Sequence, residues 1–253
     1  SCKTFEAFSE ISEDIWIKRK EKLIKILDKY LSKNKSNYDC LIPVSGGKDS
    51  YFQTHYLKHT LKLNPLLVTY DGNNYLEEGI YNRDRMRKLF DADHIVFGPS
   101  IKSLIKLNKH CFKIMGDMNW HAHCGIFTYP FQIAEKFEIP LLIWGETFWD
   151  ISGMYDVNDM VEFTNRMRVE HNLRGYEWND LLKNSELEEK DMLWAKFPSD
   201  ETIRNKGIRG LALGNYFKWD PNKHTKMIIE KYNWKSKKIP FERTYRKMSN
   251  LDD

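Results

Sequence analysis

The stretch from about Ile11 to Ser32 carries apolar positions at Trp16, Leu23, Ile24, Leu27 and Leu31, among others. That spacing predicts an amphipathic helix packed on something larger. The period then changes. Tyr38-Asp39-Cys40-Leu41-Ile42-Pro43-Val44 reads as a short buried strand, a glycine-containing turn follows at 45–50, and a helical pattern resumes from Tyr51 to Leu61. The same alternation recurs downstream. Pro65 to Tyr70 is a second strand, closed by the turn-forming Asp71-Gly72-Asn73, and Glu77 to Phe90 is a charged helix. His94 to Phe97 is a third strand, Ile101 to Met115 and Ile126 to Phe137 are helices, and Pro140 to Trp144 is a fourth strand ending in Gly145-Glu146. Ile208 to Leu213 completes a set of five.

Strands separated by helices predict an α/β fold with a doubly wound, mostly parallel sheet. Such sheets take their ligands at the carboxyl ends of the strands. Ser45, Asp71 and Glu146 stand at three of those ends, which makes them candidates for one shared site. Residues 150–199 are polar and aromatic with a helical pattern, and are expected to form a helical lid or small subdomain. The organisation expected is therefore an N-terminal helical segment at 1–36, a nucleotide-binding core at 37–149, and a lid, last core strand and C-terminal segment at 150–253.

Composition narrows the classes. Forty basic against 36 acidic residues give a net charge of +4, with both signs interspersed, so nothing demands a nucleic-acid partner. No apolar run approaches bilayer length and no signal-peptide pattern opens the chain, so a cytoplasmic protein without a membrane partner is expected. The four cysteines, Cys2, Cys40, Cys111 and Cys124, make no CxxC pair and write no disulfide frame. His121 and His123 beside Cys124 resemble a metal cluster, but alternating histidines lack further ligands nearby; acceptor binding or proton transfer is the better reading, with no metal site there.

The stretch Ser45-Gly46-Gly47-Lys48-Asp49-Ser50 carries the chemistry. Phosphate oxygens need many donors and little bulk. Gly46 and Gly47 let backbone N–H groups turn inward, Ser45 and Ser50 add hydroxyls, and the helix that follows aims its positive end at the same place. Lys48 supplies a mobile cation for a leaving pyrophosphate, while Asp49 suits a magnesium-facing or loop-orienting position. The spacing is not that of a Walker A loop, which needs four residues between its glycines. It resembles the SGGxDS signature of the PP-loop ATP pyrophosphatases, enzymes that split ATP between its first and second phosphates and adenylate an acceptor. The resemblance implies ATP and Mg2+ as cofactors, with Ser45, Gly46, Gly47, Lys48, Asp49 and Ser50 on the nucleotide and Lys48 and Asp49 catalytic. By its strand-end position Asp71 is a candidate for magnesium or the adenosine end of ATP, with a turn cap before Gly72 as the alternative. Glu146, beside the nucleotide candidate Gly145, is a catalytic candidate for magnesium or the attacking ammonia, with a helix first-turn acid as the alternative.

Longer stretches are similar to one branch of that superfamily, the N-acetyl sugar amidotransferases of surface-polysaccharide and flagellar-glycan synthesis. They include Trp120-His121 with His123, Gly125 to Pro130, Ile139 to Glu146, Asp159 to Glu162, Arg174-Gly175-Tyr176 with Trp178, Leu213 to Tyr216 with Trp219-Asp220, and Glu242 to Tyr245. This resemblance implies conversion of an acetamido group to an acetamidino group on an acidic sugar, nucleotide-linked or nonulosonic, through an imidoyl adenylate. Ammonia would come from a separate glutaminase subunit, since no cysteine here sits in a nucleophile elbow. Candidate acceptor contacts are His121, His123, Arg166, Arg168, Arg174 and Arg243, the arginines gripping a carboxylate bidentately. Trp144, Phe148, Trp149, Trp178 and Trp219 are candidates for stacking on sugar rings, with core packing as the ordinary alternative. The family's N-terminal cysteine-rich knuckle corresponds here to Cys2 alone. Two other functions fit the loop: a tRNA-modifying PP-loop ATPase, which would want a basic surface and paired cysteines, and a non-catalytic nucleotide-binding regulator.

Overall fold

The computed structural model describes residues 2–31, 37–72, 74–145, 156 and 158–237. Five strands, β1 (Cys40–Pro43), β2 (Pro65–Tyr70), β3 (His94–Phe97), β4 (Leu141–Trp144) and β5 (Arg209–Ala212), lie within or match the apolar runs of the sequence. All neighbouring pairs are parallel and the order is β3-β2-β1-β4-β5, so the sheet is doubly wound as expected. β1 lies at the centre. From it the chain builds outward to β2 and β3, then returns to add β4 and β5 on the other side, which makes the β1–β4 junction the topological switch point.

Alternation along β1, β2, β4 and β5 sorts their side chains into two cores. Cys40 and Ile42 of β1, Leu67 of β2, Leu141 and Ile143 of β4 and Leu211 of β5 face one cluster. Leu41, Leu66, Val68, Leu142 and Ala212 face the other. The first core is capped by α2 (Glu13–Tyr30), α3 (Lys48–His55), α4 (Glu77–Phe90) and α8 (Pro221–Tyr232), through Leu23, Tyr51, Met86 and Ile228. The second is capped by α6 (Trp120–Lys136), through Phe127, Phe131 and Ala134. Burial on both faces is why these strands read as nearly unbroken apolar runs. Three further helices, α1 (Cys2–Ser9), α5 (Ile101–Met115) and α7 (Asp200–Lys206), lie at the periphery of this α/β/α stack. No helix among the described residues is long and apolar enough to cross a membrane.

Two helices depart from the sequence pattern. α3 begins at Lys48 rather than Tyr51, directly after the glycines, and α6 begins at Trp120 rather than Ile126. The described part of 150–199 departs further. It consists of turns with one helical turn at Asn165–Met167, a π-helical turn at Arg168–Asn172 and a 3-10 helix at Glu189–Ala195. Left-handed backbone at Arg174, Gly175 and Asn184 interrupts any longer helix. Its apolar residues Leu173, Leu181, Met192 and Trp194 pack on Tyr70, Leu107 and Trp120, so this stretch extends the core along the α5–α6 flank.

Candidate functional site

β1 delivers the chain to the glycine turn at 45–50. Val44 donates its N–H to Val68 O at 2.8 Å and accepts the Thr69 hydroxyl on its carbonyl at 2.6 Å, and the chain then reverses through Gly46 at φ +82°. Glycine is required there twice over. The left-handed conformation disfavours a side chain, and a Cβ would stand 2.7 Å from the Arg83 backbone of α4. The Gly46 carbonyl is in turn fixed by the indole N–H of Trp234 at 2.9 Å. Within the turn the hydroxyls act as braces. Ser45 N–H donates to Ser50 Oγ at 2.9 Å, and Gly47 N–H donates to Ser45 Oγ at 3.2 Å. Gly47 is the N-cap of α3, and it offers no side chain. The first N–H groups of α3, at Lys48, Asp49 and Ser50, have no acceptor within the helix and carry its positive end.

Lys48 and Asp49 pair with each other at the start of α3, each side chain one-fifth exposed. Asp49 also accepts the indole N–H of Trp219 on Oδ1 at 3.1 Å. At the end of β2, Asp71 is held by Arg83 Nη1 at 2.8 Å, and Arg83 lies over the Tyr75 ring at 5.0 Å. Asp71 is thus at the strand end the sequence indicates, but its carboxylate is already engaged. Gly145 ends β4, where a Cβ would collide with Gln53 Oε1; Gln53 itself donates to Pro43 O at 2.9 Å. Glu146, Asn73, Phe148 and Trp149 lie outside the described residues.

These elements enclose a cavity of about 150 Å³. Ser45, Asp49, Ser50 and Gln53 form one wall and Val68, Tyr70 and Tyr75 another, while Ile126, Phe127 and Pro130 of α6, Trp144 of β4 and Gly145 just after it complete the cavity. The polar loop side and the apolar α6 side meet at the β1–β4 switch point. Trp144 therefore belongs to the cavity wall.

The other predicted contacts separate into groups. His121 is buried at the start of α6, with Nδ1 3.4 Å from the Tyr70 hydroxyl, so Tyr70 links it to the cavity. Burial, and then the neighbouring His123, lower its pKa to about 4, which keeps the ring neutral near pH 7. His123 is half-buried and is also held below the usual histidine value by burial, with Asp117 opposing and Arg174 adding to the shift. Arg174 reaches Asp117 at 3.4 Å with its side chain more than half exposed. These four residues gather around the α6 N-terminus. Arg168 does not join them. Its guanidinium is buried, pairs with Glu177, takes Asn165 Oδ1 at 2.9 and 3.1 Å, and covers the Phe197 ring, which is a packing role. Arg166 projects outward and pairs with Glu170 one turn on. Arg243 lies outside the described residues. Cys124 points into the core against Thr128 and Ala195, its thiol pushed up to about 12 by burial. Among the described residues no three His, Cys, Asp or Glu side chains assemble as a metal site.

Arg83, Gln53, Tyr70, Tyr75 and Trp234 are site components that sequence reasoning did not single out. Each acts through a partner distant in the chain or on another element, which no local motif records.

No family model matches the chain. An uncharacterized protein of Methanocaldococcus jannaschii is 33% identical over 76 residues, covering 30% of this chain and 27% of that protein. The match thus spans about a quarter of that relative's length. Among solved structures the chain is similar to a U34-tRNA thiolase from Methanococcus maripaludis, at TM-score 0.42 and 13% identity over 92% of this chain and 69% of that one. It is similar to an NH3-dependent NAD synthetase from Campylobacter jejuni, at 0.40 and 13% over 90% and 99% of the two chains. A third is an NMN synthetase from Francisella tularensis, at 0.41 and 11% over 93% and 100%. At such scores the likeness is loose, and the fold stands on its own strand order and on the turn between β1 and α3.

Proposed function

We propose that this chain cleaves ATP to AMP and pyrophosphate and uses the adenylate to exchange the oxygen of an acetamido group for nitrogen. The observation that carries the first half is the Ser45–Ser50 turn, joining the central strand to α3 at the switch point and opening on a cavity. Gly46, pinched against Arg83, lets the chain reverse without a side chain, which leaves Ser45, Asp49 and Ser50 facing the cavity. The cavity, at about 150 Å³, is smaller than the several hundred Å³ typical of a whole ligand pocket. Its apolar α6 wall suits a purine base, leaving the phosphates over the loop and the α3 N-terminus.

Lys48 and Asp49 have distinct tasks in this reading. Lys48 is the cation for the departing pyrophosphate, and Asp49, whose Oδ2 pairs with Lys48 here, would be the carboxylate to hold a hard cation. Magnesium is commonly held by one or two carboxylates together with phosphate oxygens, so a lone carboxylate beside a phosphate loop is a fitting donor set. The ion would supply charge neutralisation on the phosphates when bound. Asp71, tied to Arg83, contributes by fixing the β2 rim beside the cavity.

The acceptor half rests on the sequence resemblance, and the group at the start of α6 supports it. The acetamido oxygen attacks the α-phosphorus, a P–O bond to pyrophosphate breaks, and the amide becomes an imidoyl adenylate. Ammonia adds to the imidoyl carbon, the C–O bond to AMP breaks, and an acetamidine remains after proton loss. His121, kept neutral by burial, can hold the Tyr70 hydroxyl toward the cavity by hydrogen bonding, and Arg174 can leave Asp117 for an acidic acceptor. The acceptor is taken to be an acidic acetamido sugar, and the nitrogen source ammonia from a glutaminase subunit. The decisive experiment incubates candidate acetamido sugars with ATP, magnesium and ammonia and follows products by mass spectrometry. Replacement of O by NH, with one AMP and one pyrophosphate per product, is expected. AMP formation without an amidine would leave the ATPase and refute the acceptor; no AMP with any acceptor would refute both.

A further inference from the structure

Asp49 is held from outside its own loop, and the residue that holds it is 170 positions away. Trp219 lies between β5 and α8, and its indole N–H donates to Asp49 Oδ1 at 3.1 Å. We propose that Trp219 is a positioning residue of the phosphate loop, fixing the Asp49 carboxylate so that Oδ2 faces the cation that accompanies ATP. The inference rests on the ATP reading above.

The indole is locked from several sides. Phe52 of α3 meets it edge-on at 5.3 Å and 90°, and Phe217 stacks on it at 5.6 Å and 29°. His224 of α8 meets it edge-on at 4.9 Å and 86°, and itself lies flat on Phe52 at 3.4 Å between ring centres. Beneath it is Gly145, where a Cβ would stand 3.2 Å from Trp219 Cη2. Gly145 therefore makes room for the indole and for Gln53, which gives a physical reason for glycine at the end of β4. Packed on four neighbours, the half-buried ring presents its N–H to Asp49 from a fixed side, while Asp49 has only the start of α3 behind it.

That restraint matters because of where Asp49 stands. A carboxylate in the first turn of α3 is attracted to the same unpaired N–H groups that phosphates would use. Unrestrained, it can fold over them and compete with the nucleotide. A charge-assisted N–H···O− bond on Oδ1 holds it to one side. Oδ2, which pairs with Lys48 in this structure, is left as the oxygen that would hold the cation, with Lys48 then free to reach the phosphates.

The test is Trp219→Phe, which keeps the aromatic body and removes the donor. In pyrophosphate release, the magnesium concentration for half-maximal rate is expected to rise about tenfold, the worth of one such bond. Calorimetric binding of a non-hydrolysable ATP analogue should weaken similarly with magnesium present and stay within about twofold in EDTA. A structural role alone would lower both affinities equally. Equal losses, or an unchanged magnesium dependence, overturn the proposal. Failure of the unaltered protein to bind the analogue at all would instead refute the ATP reading. Should Trp219→Phe not fold, the Trp219 indole N–H resonance carries the test: it is expected to shift in Asp49→Ala, and no shift overturns the proposal.

Discussion

The indole N–H of Trp234 donates to the carbonyl of Gly46 at 2.9 Å, tying the segment after α8 to the turn after β1 across 188 positions of chain. Trp234 is buried, and on its other side the turn is pressed against α4 at Arg83. The turn is thus clamped between two elements that no motif mentions.

Trp234→Phe leaves the Gly46 carbonyl buried without its donor. An unsatisfied buried acceptor costs about 1–3 kcal/mol, so a clear fall in urea midpoint with unchanged slope is expected. ATP affinity should fall with it, because the turn loses one of its two clamps. Gly46→Ala should be worse than Trp234→Phe on both measures, since it brings left-handed strain as well as the collision with Arg83.

Lys48→Ala and Asp49→Ala should each slow pyrophosphate release by on the order of a hundredfold or more while melting close to the parent protein. Both side chains are partly exposed and neither belongs to a hydrophobic core, which is why stability is spared. Near-normal turnover in both variants would remove the pyrophosphatase reading.

The sheet was legible because its strands are short, largely apolar runs bounded by turn residues, and the inner strands β1, β2 and β4 are buried almost throughout. The turn was legible because six consecutive residues carry it. What could not be read was anything decided by tertiary approach. Trp219 reaching Asp49, Trp234 reaching Gly46 and Arg83 reaching Asp71 are contacts between distant or separate elements. The arginines make the same point. Arg166 and Arg168 are two residues apart and alike in composition, yet the turn beginning at Thr164 sends one to solvent and the other beneath Phe197. The start of α6 was missed because Trp120, His121 and His123 break the apolar period, although Trp120 is fully buried.

That separation of the arginines gives a graded expectation. Arg168→Lys loses a planar fork that bonds both Asn165 and Glu177, so it should lower the melting temperature and act on catalysis only through stability. Arg166→Lys should change neither, being an exposed i,i+4 pair. Arg174→Lys should leave stability unchanged and raise the KM for an acidic acceptor about tenfold or more, with ATP affinity unaltered. An acceptor with its carboxylate reduced to an alcohol should not distinguish Arg174→Lys from the parent. If it does, Arg174 acts through Asp117 and not on the carboxylate.

His224 supplies a prediction about acid. Its ring is buried against Phe52, its Nδ1 is buried with no hydrogen-bond partner among the described residues, and burial lowers its pKa from 6.5 to about 4. Asp220 and Asp49 pull the other way, and Lys48 and Lys223 add to the fall. Between those two values the unfolded chain binds a proton that the folded chain refuses. Stability from this residue is therefore fully present above about 6.5 and declines as pH falls toward about 4. His55, His94 and His121, each also lowered to about 4, act in the same direction and window. His224→Phe removes one titrating group and one unpaired polar atom while keeping the flat contact with Phe52. It should be at least as stable as the parent at pH 7.5, and its advantage should widen as the pH is lowered to 5. Urea midpoints at pH 7.5, 6.5, 5.5 and 5 measure this directly. Parallel curves for the two proteins would mean that His224 takes up its proton in the folded state as readily as in the unfolded one.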